Sequence, residues 1–357
     1  MIIFIFYIFF ACFPAVFCAL RGDVSQINDK RNRVLSLLIP IVYLTLIMGL
    51  KDISVGTDTA RYVRTFVHYP NISLEDIFSL DRTQGFYLFN KIMSSVFLSN
   101  YRMYLLTIAA FVGISMYCFL VQNSDDYCMS QIMLLSLGFT FFFMTGIKQT
   151  IAMCILMYAY TAQKKRKYLK FVILTVLAAA FHPTALIFLL IWPAKAVKFR
   201  KAIAIIAPML VALAYVFQTQ VFAFLSSIMP DDLYEAYGTS YISENNMTGL
   251  LIQFVIFFVS LFFLWRDLKT DAEAGHLLAV YAIGMMFQAM TGVMGEFFRV
   301  SMYFSILGVL LLPKALSKLG TRNRSVISCC IGLVFVVYFL FFSSKGSGVL
   351  PYKFFWE

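Results

Sequence analysis

The sequence predicts an all-α integral membrane protein of many spans, and three observations carry that prediction. Of its 357 residues, 61% are hydrophobic and 13% are charged, against about 45–50% and about 25% in soluble domains. The mean hydropathy is +0.82. The apolar residues also run in long continuous stretches, without the period-two alternation of a membrane barrel strand. A water-soluble enzyme, a secreted domain and a disordered scaffold are excluded, because no soluble globule could hide this much apolar surface. Backbone groups inside lipid must be satisfied within their own segment, so long apolar runs mean helices. The length allows about 10–12 of them, counting one broken or re-entrant helix.

In chain order, the run Met1–Leu20 lacks a basic leader and is followed at once by Arg21, which predicts a retained first span and not a cleaved signal. Val34–Leu50 is the second span. Residues 51–100 form an external loop whose segment Gly85–Leu98 is amphipathic and too short to cross. Tyr101–Val121, Gln131–Ile147 and Gln149–Ala162 follow as spans. Tyr168–Pro193 is apolar but interrupted by His182-Pro183. Its 26 residues cannot cross twice, since two crossings take about 40. Residues 168–193 are therefore expected to form a re-entrant hairpin with its break at His182-Pro183, tolerable where it is buried in protein or lines a wet cavity. Ala202–Ser227, an external acidic loop over residues 228–248, Gly249–Trp265, Leu277–Met294, Val300–Leu312 and Val326–Phe342 complete a single multi-span transmembrane domain over residues 1–357. No internal repeat is evident.

The orientation follows from the basic connections. Arg21–Arg33, Lys164–Lys170, Lys195–Lys201, Arg266–His276 and Lys314–Arg324 hold 19 of the 29 Lys and Arg residues, which puts these loops in the cytoplasm. Met229–Thr248 has no Lys or Arg but carries Asp231, Asp232, Glu235 and Glu244, so it faces outside. Gln122–Ser130 departs from the pattern: it is assigned inside yet holds Asp125 and Asp126 without a basic residue. Ten basic residues remain on the external side: Lys51, Arg61, Arg64, Arg82, Lys91, Arg102, Lys148, Arg299, Lys345 and Lys353. Snorkelling to lipid phosphates accounts for Lys91, Arg102, Lys345 and Lys353. The others suit an anionic head group at the outer leaflet. The net charge of +11 thus reflects membrane orientation and an anionic lipid ligand, with no nucleic acid partner. The seven cysteines form no C-x-x-C pair and lie mostly in apolar runs, so they read as small core hydrophobes.

Four constellations could carry chemistry. In the first, Gly56 permits a turn, Thr57 or Asp58 can cap a helix, and Arg61 and Arg64 stand one and two turns into it. A helix N-terminus with two guanidinium forks can hold a diphosphate, and the plainer alternative is a capped surface helix with an Asp58–Arg61 pair. The second is Lys148-Gln149 in a tight connection between two spans, either facing the bundle interior or snorkelling. The third is His182-Pro183, where the imidazole could act as a general base or could bond a carbonyl that the proline frees. The fourth pairs Glu296 with Arg299 at a span entrance with Tyr303 following, either an ion pair or a ligand clamp. Tyr62, Gln149 and Tyr303 stand beside these charges as candidate substrate contacts. There is no P-loop, G-x-G-x-x-G, D-x-D or G-x-S-x-G, and no His and carboxylate cluster with metal-ligand spacing. An enzyme here is expected to take a ready-activated substrate from the membrane, with no metal and no cofactor.

Along most of its length the chain resembles the EpsG family, the Wzy-like bacterial polysaccharide repeat-unit polymerases. The resemblance lies in Val55-Gly56-Thr57-Asp58-Thr59 with Tyr62 and Phe66, and in Gly85-Phe86-Tyr87-Leu88-Phe89-Asn90-Lys91. It continues through Lys148-Gln149-Thr150-Ile151-Ala152 ahead of Lys164-Lys165, and through Leu177–Leu186 around His182-Pro183. Arg299 through Tyr303-Phe304 and Pro351-Tyr352-Lys353-Phe354-Phe355 close the series. Two departures stand out. Lys148 replaces the usual arginine, which turns a bidentate fork into a point charge. Thr83-Gln84 stands where a glutamate tends to precede the Gly-Phe.

The resemblance implies a GT-C-like membrane glycosyltransferase architecture in the bacterial cytoplasmic membrane, with the active site facing the exterior. It implies transfer of a growing glycan from an undecaprenyl diphosphate carrier to the non-reducing end of a second lipid-linked repeat unit, as in O-antigen, capsule or exopolysaccharide synthesis. A chain-length regulator is a possible partner of such an enzyme. Arg61, Arg64, Lys148 and Arg299 are then the expected diphosphate ligands, and Asp58, His182 and Glu296, in that order, the candidate bases. A flippase for lipid-linked oligosaccharide and an O-antigen ligase are the alternatives.

Overall fold

The structure, a computed structural model, describes residues 1–20, 30–79, 83–194, 200–228, 247–343 and 346–357. The basic connections Arg21–Arg33 and Lys195–Lys201 and the acidic loop over residues 228–248 lie largely outside the described residues, as do Arg82 and Lys345. The helices run α1 (Ile2–Leu20), α2 (Lys30–Gly49), α3 (Thr59–His68), α4 (Leu74–Ser79), α5 (Gln84–Val96), α6 (Tyr101–Asn123), α7 (Tyr127–Ser136) and α8 (Phe139–Thr145). They continue with α9 (Ile147–Lys164), α10 (Tyr168–Phe181), α11 (Ile191–Ala194), α12 (Ile203–Val216) and α13 (Gln218–Ile228). The last five are α14 (Met247–Leu264), α15 (Ala272–Ala289), α16 (Glu296–Ser305), α17 (Gly308–Leu316) and α18 (Thr321–Tyr338). Among the described residues no strand forms, only an isolated bridge between Lys51 and Phe354.

Five of these segments are long and apolar enough to cross a membrane: Tyr101–Asn123, Met247–Leu264, Ala272–Gly292, Glu296–Leu316 and Asn323–Phe342. Two bent pairs raise the number to seven, and Ile2–Phe13, Val34–Gly49, Tyr168–Phe181 and Pro183–Ala194 are shorter apolar helices. The protein is an all-α polytopic membrane protein. Two spans expected to be continuous are broken. Gln131–Ile147 divides into α7 and α8 with a 56° bend, and Ala202–Ser227 into α12 and α13 with a 69° bend. Apolar residues flank the first break, where Gly138 takes φ +80°, and the second coincides with the polar run Gln218-Thr219-Gln220. The break at His182 also has a local cause. Proline removes a donor and crowds the residue before it out of helical geometry, and His182 is extended, at φ −147° and ψ 108°. A 3₁₀ helix over Pro183–Leu190 follows.

The chain folds as two compact units, Met1–Leu186 with Ser328–Glu357, and Ile187–Ile327. In the first unit α1, α2, α6, α9 and α10 pack in that order side by side, and α5 lies on α10. Helix α9 is its centre, buried along nearly its whole length from Ile147 to Gln163. Glycine 85 lets α5 approach α10, since a Cβ there would lie 2.8 Å from the Ala180 Cβ. Outside the helices, residues 347–355 pair with residues 47–57. The Gly56 N–H donates to Gly348 O (2.8 Å), Asp52 N–H to Lys353 O (3.0 Å) and Phe355 N–H to Leu50 O (3.1 Å). The Tyr352 hydroxyl donates to Ile47 O (2.8 Å). Two of the presumed snorkelling cations have protein partners: Lys91 donates to the carbonyls of Pro70 and Ile72, and Arg102 lies 4.4 Å from the Phe355 ring centre.

In the second unit α15 packs on α12, α14, α16 and α17. Buried polar groups join these helices: Ser301 Oγ donates to Gly284 O (2.8 Å), and Gln253 Nε2 lies 3.5 Å from Gln288 Oε1 and 3.4 Å from Ser301 Oγ. Asp271 caps α15 by accepting from the Ala274 N–H (3.0 Å). Lys314 (3.4 Å) and Lys318 (3.1 Å) pair with its carboxylate, and Lys314 also reaches Glu273 (3.5 Å).

Candidate functional site

Three segments far apart in the sequence meet in the first unit: Lys148 lies against the segment Thr83–Tyr87, and Tyr62 and Tyr69 pack on that segment in turn. Helix α8 ends at Thr145, Gly146 turns the chain, and α9 begins at Ile147, so Lys148 stands in the first turn of a buried helix. A cation there opposes the positive end of the helix dipole. Gly146 has no side chain with which to cap the free N–H groups of that turn. Lys148 is half-buried, and its Nζ lies 3.3 Å from both Thr83 Oγ1 and Tyr87 Oη. The ammonium also sits 4.5 Å from the centre of the Tyr87 ring and 5.0 Å from that of Phe86, within cation–π range.

The walls of this site are aromatic. Tyr69 stacks on Tyr87 at 5.7 Å, and Tyr62 meets Phe86 edge-on at 5.6 Å. Thr83 adopts the left-handed conformation (φ 57°, ψ 28°), unusual for a β-branched residue. Its hydroxyl leaves α5 uncapped and serves Lys148 instead. Burial by itself would raise the Tyr87 pKa. The Lys148 charge, the hydrogen bonds with Thr83 and Lys148, and the charge of Arg61 outweigh it and hold the phenol below its ordinary value. Arg61 and Lys148, 87 positions apart in sequence, thus act on one hydroxyl. Among the described residues neither lies within ion-pair distance of a carboxylate.

The remaining candidates of this unit cluster by element. Asp58 precedes α3 at its N-cap position, but its side chain makes no capping bond and no ion pair with Arg61 among the described residues. Arg64 is exposed, with Nε donating to Ala60 O (3.3 Å). Tyr62 and Gln149 are buried. His182 Nδ1 lies 2.7 Å from Thr184 Oγ1. Glu296, Arg299 and Tyr303 belong to the second unit. There Arg299 pairs with Glu296 at 3.2 Å one turn apart on α16, and Tyr303 is buried.

A model of the EpsG family matches residues 34–354. The chain belongs to the EpsG family. Membership supports a polysaccharide-polymerase-like role in a membrane. No curated protein and no solved structure matches the chain. For an EpsG-family protein the fold explains why widely spaced segments matter together. The segment Val55–Thr59 pairs with residues 347–355, the 83–87 segment supplies the partners of Lys148, and Gly85 packs on Ala180 just before His182.

Sequence reasoning missed Thr83 and Tyr87 as partners of Lys148, and it grouped Lys51 with the cations that suit an external anionic head group, whereas the structure buries it among protein acceptors. Lys51 is 3% exposed, and its Nζ donates to Val55 O (3.1 Å), to Thr59 Oγ1 (2.7 Å) and to Met144 O. Burial pushes its ammonium down to about 7. A lysine that interrupts the boundary between two apolar runs was a visible signal. Its partners were not, because two of the three are backbone carbonyls.

Proposed function

We propose that this protein is a polysaccharide polymerase that transfers a glycan from an undecaprenyl diphosphate carrier to the non-reducing end of a second lipid-linked repeat unit at the outer face of the cytoplasmic membrane. One observation carries the reading. Half-buried Lys148, the N-terminus of α9 and exposed Arg61 gather positive charge around Tyr87, and among the described residues no carboxylate lies within ion-pair distance of either side chain. Such a place is costly unless an anion completes it, and helix N-termini with basic side chains bind phosphate groups.

In the reaction the acceptor hydroxyl attacks the anomeric carbon of the donor glycan. The bond from that carbon to the diphosphate oxygen breaks, and the electron pair leaves with the lipid diphosphate. Lys148 and Arg61 hold that developing charge, with Arg64 as a further diphosphate ligand. Charge stabilisation of this preorganised kind is worth roughly 10²–10³ in rate per donor. Asp58 is the first candidate for the base that takes the hydroxyl proton. It precedes the helix that carries Arg61, and its carboxylate is not used as a cap. His182, bonded to Thr184, follows it. Tyr62 and Gln149 are the proposed substrate contacts.

The test is reconstitution of the purified protein in lipid with one lipid-linked repeat unit, read as a gel ladder. A ladder formed without added nucleotide or metal is the expected result. Lys148→Ala should lower its initial rate by roughly 10²–10³, while Lys148→Arg should retain most of it. Transfer of the substrate to the opposite leaflet without a ladder would make the protein a flippase. A product of unchanged length on another acceptor would make it a ligase.

A further inference from the structure

We propose that Lys51 is a positioning residue for the diphosphate site, a buried three-way tie that sets where α3 and α9 begin and so sets how Arg61 and Lys148 face their ligand. The proposal rests on the reading of Lys148 as a diphosphate ligand.

An ammonium has three donors, and each is spent on a different segment. Val55 belongs to the loop that follows Lys51, Thr59 is the first residue of α3, and Met144 lies in the last turn of α8. The Thr59 hydroxyl closes the node, at 2.7 Å from Val55 O and 3.1 Å from Met144 O. Met144 O is one of the carbonyls that the end of a short helix leaves without a partner. Lys51 thereby fixes the end of α8 four residues before Lys148, while its bond to Thr59 fixes α3 two residues before Arg61. No room is left for slack. A Cβ at Gly56 would lie 2.8 Å from Met144 O and 2.9 Å from Thr59 Oγ1, and the space beside the lysine stem amounts to about 10 Å³, among Met48, Ile108 and Met144.

Stability alone is a poor account of this residue. All three acceptors are neutral, so burial of the ammonium is not offset by an opposite charge, and burying a charge without one is strongly unfavourable. An apolar residue would fill the same space at lower cost. What a trivalent donor adds is a fixed relation between three backbone segments, beyond the one proton that the Thr59 hydroxyl can offer to Val55 O or Met144 O.

The test is a double-mutant cycle on the full-length protein in lipid nanodiscs, with farnesyl diphosphate as the probe and Kd as the readout. Lys51→Met is expected to weaken binding about tenfold in the native background and less than twofold when Lys148→Ala is already present. A merely structural defect would act alike in both backgrounds, so equal factors, or an unchanged Kd in the native background, would overturn the proposal and leave Lys148 as a ligand. An unchanged Kd for Lys148→Ala alone would instead remove the diphosphate site itself, and this proposal with it. Should Lys51→Met not yield folded protein, the isosteric Thr59→Val removes the hydroxyl from the node. It is expected to show the same dependence on Lys148, and additivity there would equally overturn the proposal.

Discussion

At the scale of single residues, the site works through groups whose partners are neutral. Lys148 is held by a hydroxyl, a phenol and two ring faces, and Lys51 by a hydroxyl and two carbonyls. Among the described residues no carboxylate pairs with either, so the charge of Lys148 is left open to an anion. The geometry around them depends on Gly56, which sits at φ +93°, a conformation that costs an L side chain about 1–2 kcal/mol. Gly56→Ala adds a contact with the Met144 carbonyl to that strain, and it should lower stability by roughly 1–3 kcal/mol. The measurement is the apparent melting temperature in detergent, and an unchanged value would show that the loop around Gly56 relaxes freely. Lys148 stands out in the sequence because a cation between two apolar runs is conspicuous. Its partners were not legible. Thr83 reads only as a departure from a family pattern, and nothing in the spacing of Tyr87 and Lys148 connects a short amphipathic helix to the start of a buried one.

At the scale of elements, helices begin and end where local chemistry dictates, and only part of that chemistry is written in hydropathy. The stop at His182 was readable because proline acts on its neighbour. The break before Phe139 was not, because its flanks are as apolar as an unbroken span, while the break before Gln218 coincides with the polar run Gln218-Thr219-Gln220, a signal that the expected span over Ala202–Ser227 passed over. The start of α15 has a clear electrostatic signature. Burial would raise the Asp271 pKa, but the Ala274 N–H bond and the charges of Lys318 and Lys314 prevail and hold it below the ordinary carboxylate value. A carboxylate depressed in the folded state stabilises fully above its unfolded pKa, and that contribution disappears as pH falls through the folded value. Asp271→Asn keeps an oxygen that can cap α15 but removes the charge paired with Lys314 and Lys318, so it should lower the melting temperature at pH 7 by an amount set by those ion pairs, about 0.2–1 kcal/mol each. The difference from wild type should shrink as pH drops below about 4. A pH-independent difference would mean that the charge of Asp271 contributes nothing.

At the scale of the whole molecule, the all-α polytopic character was legible from composition alone, since 61% hydrophobic residues admit no soluble alternative. The ten full-length spans expected from hydropathy resolve into fewer long helices, with broken and short ones between them among the described residues. Orientation rests on the basic connections, and reporters can check it: one fused within the acidic loop at Ser240 should read outside and one at Arg166 inside. Both reading from one side would break the topology, and with it the assignment of Lys148 to the external side. The pairing of residues 347–355 with residues 47–57 sets an order of events in biosynthesis. About 290 residues separate Gly56 from Gly348, and at roughly 5–20 residues per second the ribosome needs about 15–60 s to bridge them. Throughout that interval the loop that carries Lys51 and Asp58 waits in the membrane without its β-like partner. The loop between α2 and α3 thus gains its last backbone partners only after the spans have been synthesised.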